Sequence, residues 1–242
     1  MKTVCWLSGG VSSFIAAYLI KDEVDEVIYI DIEDQHYDTR RFIDDCVKVL
    51  GIPLTVLKSE YGSVETVARA FGFVNSPHGA KCSQTLKKRV RQEWERKQTE
   101  PLCYVWGYDC GEQHRADRIR EAEPDCQHRF PLIEQMFSKE DAHGLLRRLG
   151  IARPIMYDLG YQNNNCIGCV KGGMGYWNKI RRDFPVIFRE RAKMERDIGA
   201  SCITDVFLDE LDPARGREDE AILDDCGILC ELAYREVEGC NE

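Results

Sequence analysis

Strands and helices alternate through the first half of this 242-residue chain, and that alternation limits the fold more than any other feature. Residues 3–7 are a short apolar run suited to a buried strand. Gly9-Gly10 then turns the chain into a segment with Phe14, Ala17 and Tyr18 on one helical face. Residues 26–32 (EVIYIDI) read as a second strand, 41–50 as a helix, and 54–57 as a third strand after Gly51 and Pro53. A helix is expected over 63–71, a loop over 72–81, and a helix over 83–97 with Leu86, Val90 and Trp94 spaced by four. A fourth strand over 102–108 and a polar helix over 112–121 complete the pattern. Such βα repetition implies an α/β fold: an open, mainly parallel, Rossmann-like sheet with helices on both faces. Ligands of such sheets bind at the carboxyl ends of the strands.

Beyond Pro131 the pattern changes. Residues 138–149 read as a helix capped by Ser138 and stopped at Gly150. Residues 150–175 read as loop, 176–196 as a helix broken at Pro185, and the tail as carrying one helical stretch near its end. Net charge is −9, yet residues 205–242 hold 13 acidic and 3 basic residues, so the acidity belongs to the tail. The expected organisation is therefore a domain over 1–204 and an acidic C-terminal tail over 205–242. No apolar run reaches the ~18 residues a membrane helix needs, so no membrane partner is expected. Ser8-Gly9-Gly10 and Ser12-Ser13 interrupt the apolar N-terminus, and no small-residue cleavage site follows, so a cytoplasmic location is expected. There, most of the twelve cysteines stay reduced.

Three patterns can carry chemistry. The turn Ser8-Gly9-Gly10-Val11-Ser12-Ser13 lies between the first strand and first helix. Glycines let the backbone approach a phosphate, the helix start offers N–H groups, and the serines add donors. The alternative is a strand–helix turn that merely contains glycine. Cys166-x-x-Cys169 has the spacing of a metal or cluster knuckle, and also of a zinc knuckle or an inert thiol pair. Basic residues gather at 83–97, at 171–182, and at Arg115, Arg118 and Arg120, where they suit either phosphate or solvent. Tyr176 and Trp177 are the best interleaved aromatics for a nucleic-acid face. His114 is read equally as a phosphate contact and as polar surface.

The chain resembles the phosphoadenosine phosphosulfate (PAPS) reductase family. That family belongs to the pyrophosphate-loop (PP-loop), adenine nucleotide alpha-hydrolase-like superfamily. The resemblance rests on Ser8-Gly9-Gly10-x-x-Ser13, Asp31, Asp38-Thr39 with Phe42, Lys81-Cys82 with Lys87, and residues 107–118 (GYDCGEQHRADR). Pro131-Leu132-Ile133, Pro154-x-x-Tyr157-x-x-Gly160-Tyr161 and Cys166-Ile167-Gly168-Cys169 extend it. It implies an adenine nucleotide (ATP, or PAPS or its 3′-dephospho form APS), with magnesium, held by Ser8, Gly9, Gly10, Ser12, Ser13, Asp31, Lys87, Gly107, Arg115 and Arg118. It also implies a 4Fe-4S cluster on Cys82, Cys166 and Cys169, with Cys103 or Cys110 as a possible fourth ligand or an open site.

Asp225-Cys226-Gly227-Ile228-Leu229 resembles the family's C-terminal Glu-Cys-Gly-(Ile/Leu)-His, whose cysteine attacks the sulfate sulfur. This implies Cys226 as nucleophile and a thioredoxin-type reductant as partner. The chain departs from the pattern at three places. Val11-Ser12 replaces the Lys-Asp of many superfamily members, a single cysteine stands at 82 where cluster-bearing reductases have two, and Leu229 replaces the His. A coincidental Cys-Gly pair therefore stands beside the nucleophile reading. Two other functions stand beside reduction: ATP-dependent, cluster-assisted thiolation of a nucleic acid or small acceptor, and nucleotide or cluster binding without turnover.

Overall fold

The computed structural model describes residues 1–76, 79–217 and Ile222. Its chain falls into two compact units. Among the described residues, the first comprises 1–31, 36–57 and 94–164; the second comprises 32–35, 58–93 and those from 165 to 217.

In the first unit β1 (Lys2–Leu7), β2 (Glu26–Asp31), β3 (Leu54–Lys58), β4 (Leu102–Val105) and β5 (Gln127–Arg129) form one five-stranded sheet ordered β3-β2-β1-β4-β5. β1 runs parallel to both β2 and β4, and β4 runs parallel to β5. Side chains alternate across the strands, so the sheet buries two faces. Cys5, Leu7, Val27 and Tyr29 pack against Phe14 and Ile15 of α1 (Val11–Leu19), Phe42 and Ile43 of α2 (Asp38–Leu50), and Leu146 of the helix at Lys139–Arg148. Val4, Ile28 and Tyr104 pack on the opposite face against Trp94. The expected parallel α/β sheet is therefore present, with apolar cover on both sides.

Three local differences have physical causes. Strand β4 ends at Val105 rather than 108, because the chain must turn at Gly107 to pass the start of α1. β5 was not expected, because Gln127-His128-Arg129 carries no apolar pattern; an edge strand needs only backbone pairing. The helix expected at 83–97 begins at Lys81 and passes through a wider π turn at Gln84–Lys88 before Arg89–Glu95. The Ser138 cap is as expected: its hydroxyl accepts from Asp141 N while the Asp141 carboxylate accepts from Ser138 N. The helical tail stretch expected near the C-terminus lies outside the described residues.

The second unit is organised by a buried ion pair. Arg191 lies on the helix Pro185–Ile198, and its guanidinium donates to the Asp34 carboxylate, with both side chains under a tenth exposed. The other Asp34 oxygen accepts from Val64 N at 2.6 Å, at the start of the helix Val64–Phe71. The Asp34 carbonyl accepts from Ile167 N at 2.8 Å, between Cys166 and Cys169. One residue thus ties a helix start, the Cys-x-x-Cys turn and a second helix together. One turn beyond Arg191, fully buried Glu195 accepts from Cys202 N and Leu208 N, and burial raises its pKa. The break foreseen at Pro185 is present, separating the helix Met174–Asp183 from Pro185–Ile198. No helix among the described residues is long and apolar enough to cross a membrane.

Candidate functional site

The strand order reverses between β1 and β4, and a crevice outside the carboxyl ends of such strands is the usual ligand position. The turn at residues 8–13 leaves β1 there, and Gly107 follows β4. The two segments touch so closely that a Cβ on Gly107 would lie 2.5 Å from Ser13 N and 2.6 Å from Ser13 Cα. Gly9 turns the chain with φ +83°, and extended Gly10 opens α1 without any side-chain cap. The start of α1 therefore presents backbone N–H groups unprotected by a carboxylate or hydroxyl of the capping residue.

The serines divide into two roles. Ser13 Oγ donates to Gly10 O at 3.0 Å and accepts from Ser8 N at 3.1 Å. Ser8 Oγ lies 3.1 Å from Ser13 Oγ and accepts from Gly10 N at 3.3 Å. A hydroxyl has one proton, so Ser13 spends its own on Gly10 and Ser8 spends its own on Ser13. Both hydroxyls brace the turn from inside. Within the turn, these two hydroxyls are engaged with one another and with the backbone.

Two residues outside the turn complete it, and sequence reasoning gave neither a role. Asn164 is buried, and its Nδ2 donates to Gly9 O at 2.8 Å and to Thr39 Oγ1 at 3.0 Å. Tyr157 OH accepts from Val11 N at 3.4 Å, and burial pushes its pKa up, so the phenol stays neutral. The segment carrying them is fixed by Ile155 N, which donates to Asp38 at 2.9 Å, and by Arg41, which donates to the Ala152 and Arg153 carbonyls. Hydrogen bonding to Arg41 is the main reason the Asp38 pKa is lowered. Tyr157 stood in a motif, but Asn164 read only as a loop former.

The remaining expected site residues are distributed as follows. Asp31 ends β2, half-buried. Arg115 lies in the first turn of the helix Gln113–Ala122, its guanidinium 4.2 Å from the Tyr108 ring centroid and paired with Glu112. Arg118 is exposed on the same helix, and His114 is exposed. Lys87 belongs to the second unit, in the π turn. Cys226 lies outside the described residues.

Cys82, Cys166 and Cys169 all fall in the second unit, whereas Cys103 and Cys110 fall in the first. Among the described residues no group of three or more His, Cys, Asp or Glu side chains is gathered to hold a metal ion. Cys202, which spacing did not single out, is buried. Its pKa is raised chiefly by burial and then by Glu195, with a further contribution from Cys82, its electrostatic neighbour. Tyr176 and Trp177, the aromatics suggested for nucleic acid, are both buried, so neither presents a ring to a base.

Fold and turn together define an open, mostly parallel α/β protein with a glycine turn at its switch point. No family model matches the chain, and no curated protein matches it. Among solved structures, it is similar to the phosphoadenylyl-sulfate (PAPS) reductase from Candida auris in a phosphate complex. The TM-score is 0.47 at 13% identity, over 69% of this chain and 81% of that one.

Proposed function

We propose that this chain binds an adenine nucleotide through residues 8–13 and is a sulfonucleotide-reductase-like enzyme. The observation that supports the binding is the turn itself: a glycine turn at the start of α1, whose cap residue Gly10 supplies no side chain, beside β1 and β4 and held in shape by Ser8, Ser13 and Asn164. Backbone N–H groups of such a turn suit phosphate oxygens, because their positive ends converge without requiring a cationic side chain. This also answers the absence of a lysine in the turn.

The sulfur chemistry rests on the sequence resemblance. The Cys226 thiolate attacks the sulfate sulfur, forming an S–S bond while the sulfur–oxygen bond to the nucleotide phosphate breaks and the phosphate leaves with the electron pair. A dithiol protein of thioredoxin type then attacks Cys226 Sγ, releasing sulfite and ending as a disulfide. Arg115 and Arg118, in the same unit as the turn, are the cations assigned to the sulfate or second phosphate, where guanidinium forks pair with two oxygens at once.

The test offers purified protein either PAPS or APS with thioredoxin, or ATP with sulfide and an acceptor, and resolves the products. Sulfite from the first mixture, lost in Cys226→Ser while nucleotide binding persists, is the expected result. Sulfite release unchanged in Cys226→Ser removes the nucleophile. AMP and pyrophosphate from the second mixture alone keep the nucleotide turn but replace reduction by thiolation.

A further inference from the structure

The phenol of Tyr157 ends beside Gly10 and Val11 in the 8–13 turn. Its hydroxyl accepts from Val11 N at 3.4 Å and from Asn164 N, and a Cβ on Gly10 would lie 3.3 Å from it. We infer that Tyr157 is a binding residue of this site, donating its hydroxyl proton to an oxygen of the phosphate held at the turn. The inference rests on the nucleotide reading above and adds to it a side-chain donor that stands 146 positions from Val11 in the chain.

Counting bonds gives the direction of that proton. A phenol oxygen carries one proton and accepts up to two hydrogen bonds. Both acceptor positions are taken by backbone N–H groups, so the hydroxyl can serve a further partner only as a donor. Burial raises the pKa of the phenol, which therefore keeps its proton at neutral pH. Accepting two hydrogen bonds also polarises the O–H and strengthens the bond it donates. An ionised phosphate oxygen only accepts, which makes it the complementary group. Through this one oxygen, the donor character of Val11 N at the start of α1 is passed on to the ligand.

The hydroxyl is held where it stands. The Tyr157 ring packs against the apolar core of the first unit, and the His143 ring meets it edge-on with centroids 4.8 Å apart. Its short helix, Ile155–Asp158, is fixed by Ile155 N on Asp38 and by the ion pair of Arg153 with Asp158 at 2.6 Å. Asn164 secures the turn itself through Nδ2, which donates to Gly9 O and Thr39 Oγ1. Asn164 is 6% exposed, and its Oδ1 has no hydrogen-bond partner among the described residues. An unmet buried acceptor costs about 1–3 kcal/mol, a cost that folding alone gives no reason to keep and that a donor group on a ligand removes. Clamp and phenol thus both point to an occupied turn.

The probes are ATP and APS, titrated calorimetrically into the full chain at a series of pH values. Tyr157→Phe is expected to weaken binding at least about tenfold. A ring-fluorinated tyrosine placed at 157 separates donor from acceptor, because its phenol ionises nearer neutrality. The phenolate still accepts from Val11 N and Asn164 N, but it has no proton to give. Affinity relative to the unsubstituted chain is therefore expected to fall at least about tenfold as pH rises through the ionisation, which phenolate absorbance follows. By linkage, bound nucleotide is expected to move that ionisation to higher pH. Taking the ratio at each pH removes the effects of His143 and Arg153, the ionisable neighbours of the ring, and of the nucleotide itself. Thermal unfolding reports that each variant folds. Equal affinity in Tyr157→Phe, or a ratio that stays constant or rises with pH, overturns the inference. Failure of the nucleotide reading looks different: inorganic pyrophosphate then binds the unsubstituted chain while neither nucleotide does, and the same pH comparison with pyrophosphate decides Tyr157. Binding of none of the three overturns both.

Discussion

Asp34→Ala is expected to lower stability by about 3–5 kcal/mol, read as a lower urea midpoint at unchanged slope. The size follows from what is left behind. Arg191 keeps its charge in a site where its side chain is 6% exposed, with Glu65 at 3.5 Å as the remaining carboxylate neighbour. The start of the helix Val64–Phe71 also loses the acceptor for Val64 N. A buried charge left with a single, longer and more exposed partner is costly, because its desolvation is no longer fully offset. Asp34→Asn keeps an acceptor and so separates hydrogen bonding from charge; it is expected to fall between the two. A shift within about 0.5 kcal/mol for Asp34→Ala, the range of ordinary surface changes, would show that the pair does not organise this unit.

Gly107→Ala is the second large effect, and it joins stability to binding. The new methyl must lie 2.5 Å from Ser13 N, and Ser13 belongs to the first turn of α1, so neither side is a flexible side chain that can swing away. Overpacking of this kind costs about 1–3 kcal/mol. The relief available is displacement of the turn at 8–13, so ATP or APS affinity is expected to fall about tenfold or more. Thermal unfolding and calorimetric titration on the same preparation check both. Unchanged binding with a lowered melting temperature would mean that the turn tolerates the shift and is not the binding element.

What the sequence revealed and what it hid follow from the range of the interactions. Residues 3–7 and 26–32 were legible as buried strands because a strand covered on both faces is apolar almost throughout. Gln127-His128-Arg129 was illegible because its place depends on the backbone of β4, not on its own side chains. The glycine turn was recognisable from Ser8-Gly9-Gly10, but the direction of the serine hydroxyls was not, since it depends on bonds closed inside the turn. Asn164 reaches Gly9 across more than 150 positions, a separation that leaves no local pattern. The same holds for Asp34 with Arg191. For Tyr176 and Trp177, helical spacing did not tell an inward face from an outward one. Thiol spacing marked Cys166 and Cys169, yet spacing along the chain says nothing of which third and fourth side chains approach.

The central claim, that residues 8–13 hold the phosphates of an adenine nucleotide, is tested most directly by nucleotide affinity in Ser12→Asp. Ser12 is half-buried in the first turn of α1, where a carboxylate favours the helix through its dipole, so the fold is retained. A carboxylate in the turn also repels phosphates held there. Calorimetric titration of APS and ATP is expected to show affinity reduced at least about tenfold, with the melting temperature unchanged or raised. Wild-type affinity in a folded Ser12→Asp protein would contradict the account.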